Sequence, residues 1–222
     1  MSSSADISPR QRRSMGLTGD TQQRELPTTA RGIRTRNKLL QAARVVFERD
    51  GYLDARLIDI TTEAGVSAGS FYTYFDGKEE IFAAVLAEVG EEMLHPEVHD
   101  MVDADDPVAV IRASNRAYLE MYRKHAKFMQ LLHEVSSIDE RFRKLRRQRA
   151  QAFVERNARS IQDLQNRGVA TSDVDSRLAS SILSGMVSRA AYSKFVVGED
   201  WDFETLVETV TRLWINALDM SA

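Results

Sequence analysis

The stretch Arg56–Lys78, RLIDITTEAGVSAGSFYTYFDGK, admits few local shapes. Leu57, Ile60, Thr61 and Ala64 fall at i, i+3, i+4 and i+7, one narrow face of a helix of about two turns. Gly65 ends that helix, because glycine takes the left-handed backbone at a helix end without a Cβ clash. Val66 offers an apolar plug, and Ser67 is a good N-cap for a second short helix. Phe71 and Phe75, four apart, share its inner face and leave Ser67, Ser70, Tyr72, Thr73 and Tyr74 on the others. Helix, glycine turn and a second helix led by small polar residues is the helix-turn-helix pattern. A leading turn without bulk is what lets a helix enter a major groove; Ala68 and Gly69 provide it, and Ser70 and Thr73 can bond base edges or phosphates. An ordinary helical hairpin with all its aromatics in a core fits the same spacing.

A resemblance bears on that choice. From about Thr29 to Val89 the chain resembles the DNA-binding domain of the TetR family of bacterial transcriptional regulators. The match is carried by Phe47 before Gly51-Tyr52, Asp59-Ile60, Ala64-Gly65-Val66-Ser67, Gly69-Ser70-Phe71-Tyr72, Tyr74-Phe75 and Lys78-Glu79-Glu80. It implies base-edge contacts from Ser67, Ala68, Gly69 and Thr73, with Ser70 on base or phosphate. Tyr72, Tyr74 and Lys78 would hold the backbone, and Arg34 would add charge at the rim. Arg56 stands where the family often has Thr; it joins the candidate DNA contacts, but the usual phosphate contact there is a departure. The implied fold is all-α: a disordered basic tail over 1–28, a three-helix helix-turn-helix domain over 29–77, and a helical ligand-binding and dimerisation domain over 78–222. A dimer would read a near-palindrome in double-stranded DNA with half-sites about one helical turn apart. The family's regulators are mostly repressors released by a small molecule.

The residues are consistent with this order. Positions 1–28 show no periodicity, and Arg10, Arg12, Arg13 and Arg24 there would either brush DNA or serve no purpose. Residues 1–38 hold eight Arg/Lys against three Asp/Glu, a local +5, although the whole chain is at −3. Leu40, Ala43 and Phe47 predict a helix over 31–49, closed by Gly51; Ile81, Phe82, Val85, Leu86 and Val89 predict another over 78–94. Further helices are expected over 108–125, 127–135, 139–166, 174–197 and 203–220. Arg141 to Arg149 form a dense basic run, read as a solvated helix face.

For the effector, Met93, Tyr118, Met121, Phe128, Met129, Leu132 and Met186 are the candidate cavity lining, since Met and aromatics suit an adaptable apolar pocket. Each is also an ordinary core residue type. His125, His133 and Glu134 would add polar orientation. By resemblance, the last two helices form a four-helix bundle with a second subunit through Leu183, Val187, Ala190, Ala191, Val210, Trp214 and Leu218.

Other functions find less in the sequence. His95 and His99 stand four apart beside carboxylates, but Pro96 between them opposes the helix that such a metal clip needs. No metal or cofactor is expected. No nucleophile elbow or phosphate loop supports an enzyme; a helical interaction module that has lost DNA binding is the other alternative. With no Cys, no apolar run of about eighteen residues and a polar N-terminus, a cytoplasmic protein without membrane contact is expected.

Overall fold

The computed structural model describes residues 26–94 and 106–220. Most of the basic tail and the His95/His99 pair lie outside them. Among the described residues the regular structure is helical throughout: α1 Ala30–Asp54, α2 Leu57–Ala64, α3 Ala68–Tyr74, α4 Lys78–Leu94, α5 Pro107–Lys124, α6 Ala126–Ile138, α7 Glu140–Asn166, α8 Ser176–Tyr192 and α9 Phe203–Ala217. A π-helical turn, Ser193–Val197, follows α8; its wider spacing has no signature in the sequence.

The first four helices form a head. Thr29 opens α1 by accepting the Gly32 N–H at 3.1 Å. Gly51, at φ 79° and ψ 169°, breaks the spiral where closure is expected, and one short turn continues to Asp54. Gly65 adopts φ 64°, ψ 38°, while the Val66 N–H reaches the Thr61 carbonyl at 3.0 Å, which closes α2 and redirects the chain into α3. Leu40, Ala43 and Phe47 of α1 meet Ile60, Phe71 and Phe75 in a core from which water is excluded.

The remaining helices form a lobe. Four of its five helices begin on aspartate: Asp106, Asp139, Asp175 and Asp202 each accept an otherwise unpaired backbone N–H, at 2.7–2.9 Å. Each such cap is worth about 1 kcal/mol. Helix α8 lies along α7, α9 lies against α5, and α6 touches both α7 and α1.

Two clusters join head to lobe. Phe82 of α4 is fully buried, with its ring centroid 5.1 Å from Phe47, 4.9 Å from Tyr52, 5.0 Å from Phe128 and 5.0 Å from Phe142. Beside it, His125 is also fully buried at the α5–α6 junction. Its Nδ1 lies 2.8 Å from Arg44 Nη2 and its Nε2 3.1 Å from Glu92 Oε2. A guanidinium can only donate, so Nδ1 is the acceptor and Nε2 carries the hydrogen. Burial, then the charge of Arg44, push the imidazole pKa below its ordinary value. His125 is thus a strut between head and lobe, not a polar group of the effector cavity.

Candidate functional site

The outer face of α3 is small and polar for reasons visible in its sequence. Phe71 and Phe75 turn inward, and the Ser67 hydroxyl accepts the Ser70 N–H at 3.2 Å, so Ser67, Ala68 and Gly69 stand at the exposed leading end. A Cβ on Gly69 would meet only Ser67 Oγ, at 3.9 Å. The fold itself therefore does not require glycine there. Thr73 is exposed, with its hydroxyl donating to the Gly69 carbonyl at 3.3 Å; Ser70 and Tyr74 are half-buried and Tyr72 is 53% exposed. Ser67, Ala68, Gly69, Tyr72 and Thr73 are thus exposed on α3, and Arg34 is exposed on α1.

Two basic candidates are placed differently. Arg56 forms a two-pronged pair with Asp59, at 2.8 and 2.9 Å, and this hydrogen-bonded partnership holds the Asp59 carboxyl below the ordinary carboxylate range. The Lys78 ammonium donates to the carbonyls of Tyr52, Leu53 and Ala55 at 2.8, 3.0 and 3.1 Å and lies 4.8 Å from the Tyr52 ring centroid. All three of its N–H donors are engaged in closing the end of α1, where helix carbonyls lack partners. A phosphate reaching Lys78 would have to displace one of them.

The lobe holds a partly open cavity of about 490 Å³ between α5, α6, α7, α8 and α9, a size typical of small-molecule sites. Of the candidate lining residues, Tyr118, Met129 and Leu132 border it. Met93 and Phe128 do not; they are buried in the core, and Met121 and Met186 pack at its margin. His133 reaches the wall beside Tyr192, whereas Glu134 is exposed and accepts from Gln130. The main omission is Arg149. The basic run on α7 is solvated in part, through Arg141 on Asp139 and Arg143 on Glu140, but Arg149 is only 9% exposed and turns inward. Its position was readable: Phe142, Arg149, Phe153, Ile161 and Leu164 recur at helical spacing along one stripe.

The faces of α8 and α9 also differ from expectation. Leu183, Val187, Ala191, Val210, Trp214 and Leu218 are buried within their own protomer, with Ala190 half-buried. Val187, Trp214 and Leu218 line the cavity. What these helices turn outward is Leu178, Ile182 and Leu213, 61%, 62% and 45% exposed, whereas Gly185 borders the cavity.

The family model for bacterial regulatory proteins of the tetR family matches residues 39–85, and that for the C-terminal domain of the transcriptional regulator EthR matches residues 111–219. The HTH-type transcriptional repressor NicS of Pseudomonas putida is 30% identical over 99 residues, 45% of this chain and 47% of that protein. The fatty acid metabolism regulator protein of Bacillus subtilis is 20% identical over 188 residues, 82% of this chain and 94% of its own. A solved TetR-family transcriptional regulator from Pectobacterium atrosepticum aligns with a TM-score of 0.59 at 26% identity, over 86% of this chain and 96% of its own. The first two curated relatives are matched over less than half of their length, 47% and 30%. Among the described residues no helix is long and apolar enough to cross a membrane, and no cluster of three or more potential metal ligands occurs.

Proposed function

Since the chain belongs to the TetR family of transcriptional regulators and carries a DNA-binding N-terminal domain, we propose that it is a homodimeric, cytoplasmic repressor of a palindromic operator, released by a small and largely apolar effector. Residues 29–77 act as the DNA-binding unit and 78–222 as the effector-binding and dimerisation unit. The observation that carries the reading is the leading turn of α3: Ala68 and Gly69 stand exposed without bulk, although the fold leaves room for more. Ser67, Ala68, Gly69 and Thr73 read base edges, and Tyr72, Tyr74 and Arg34 set the register. The repressing sense is supported by the name of the Pseudomonas putida relative, and the apolar effector by the lobe cavity and the name of the Bacillus subtilis one.

The pure protein is expected to retard a duplex from its own upstream region, with retention falling steeply as salt rises, because phosphate contacts release counterions. Gly69→Glu places a carboxylate at the groove. It should weaken operator binding by about 1–3 kcal/mol, roughly fivefold to 150-fold, while leaving thermal stability unchanged or slightly raised, since glycine is a poor helix residue. Equal binding by Gly69→Glu and the parent protein in a gel-shift titration would remove α3 from the DNA interface.

A further inference from the structure

The lobe cavity has a charge that its apolar lining conceals. Arg146, Arg149, Arg156 and Arg189 reach its wall, and among the described residues no Asp or Glu does. Three of them have other partners: Arg146 donates to Ser136 Oγ at 3.2 Å, Arg156 to Asn157 Oδ1 and the Leu94 carbonyl, and Arg189 lies over the Tyr192 ring. Arg149 differs. Among the described residues its guanidinium has no carboxylate partner and donates only to two thioethers, Met129 Sδ at 3.0 Å and Met93 Sδ. Thioether sulfur is a weak acceptor, so a 9% exposed cation with five N–H donors is left electrostatically uncompensated.

We propose that this cavity receives a monocarboxylate with an extended apolar tail, its carboxylate paired with the Arg149 guanidinium. A planar fork facing a carboxylate forms two parallel charge-assisted hydrogen bonds, and exclusion of water strengthens both. Burial already pushes the Arg149 pKa below its ordinary value, the mark of a cation lacking a counter-charge. The tail has a path: from Arg149 the wall runs along α7 past Phe153 to Ile161 and Leu164, about 22 Å at the helical rise. Trp214 and Leu218 line the same cavity from α9. Arg146 and Arg189, both exposed, add positive potential at the wall and favour capture of an anion.

This assignment rests on the effector reading of the lobe, so its test uses ligand binding to the free protein, with operator retention measured separately on the same preparation. Calorimetric titration with dodecanoate, 1-dodecanol and dodecyl phosphate, each below its aggregation concentration, supplies the comparison. Dodecanoate should bind on the order of tenfold or more tighter than 1-dodecanol. Arg149→Met should abolish that preference; Arg149→Lys, which retains the charge but not the fork, should fall between. Equal affinity for dodecanoate and 1-dodecanol in the parent protein overturns the proposal, whether or not the variants fold. Tighter binding of dodecyl phosphate overturns the carboxylate assignment. Loss of dodecanoate binding alongside intact operator retention would dismiss the proposal and leave the DNA-binding reading standing.

Discussion

Phe82→Ala is expected to destabilise the protein by about 3–5 kcal/mol, the usual cost of deleting a buried phenyl ring. The ring is fully buried and contacts four other aromatic rings at 4.9–5.1 Å, two from the head and two from the lobe. Edge-to-face pairs add about 0.5–1.5 kcal/mol each beyond their buried area, and no smaller side chain can keep all four. Domains of this kind have about 5–15 kcal/mol in total, so the variant should be marginal at ambient temperature. Urea denaturation measures the loss as a lowered midpoint. A second effect follows from position. Because Phe82 packs both units, folded variant molecules should bind effector and operator with weakened mutual influence. A stability loss below about 1 kcal/mol would mean that the cluster rearranges and is not the joint between head and lobe.

Ile182→Glu is expected to split the proposed dimer and, with it, operator binding. Ile182 is 62% exposed in the protomer, with exposed Leu178 one turn earlier on α8 and exposed Leu213 on α9. In a two-fold interface a carboxylate there is buried, near its symmetry mate and without a counter-ion, at a cost of about 3–5 kcal/mol. The folded protomer should be indifferent, since exposed substitutions typically change stability by less than about 0.5 kcal/mol. Leu183→Glu, one residue on and buried, should unfold the protomer instead. Sedimentation analysis at micromolar concentration separates these outcomes. An unchanged mass for Ile182→Glu would place the interface elsewhere.

Local rules made much of the molecule legible. The α2–turn–α3 unit follows from Gly65, Ser67 and the Phe71/Phe75 pair, each of which acts on its own few neighbours. The helices of the lobe follow from 3.6-residue periodicity and aspartate caps in the same way. Which side of a helix faces inward is a different problem. Helix α8 is apolar at Leu183, Val187 and Ala191 and again at Leu178 and Ile182, and only the packing of α7 decides that the first stripe turns in. The partners of long side chains are equally unreadable. Lys78 and Arg149 each extend several ångströms from the backbone, so their partners are set by tertiary neighbours: the closing carbonyls of α1 for one, two methionine sulfurs for the other. The charge run on α7 disguised Arg149 for the same reason, since five neighbouring cations suggest solvent and only the stripe shared with Phe142 and Phe153 points inward.

The neutral imidazole at the head–lobe junction has a consequence for acid tolerance. Arg44, Lys124 and Glu92 surround His125, and a second ring proton would set an N–H against the Arg44 guanidinium. Its native pKa lies below the unfolded value of about 6.5, so the unfolded chain takes up the proton first. The contribution of His125 to stability is therefore full above about pH 6.5 and declines as acidity increases below it. Melting temperature should climb from pH 5 to 7 more steeply in the parent protein than in His125→Gln, and parallel curves would refute this. Mild acid would therefore weaken the grip of the lobe on the head at this junction.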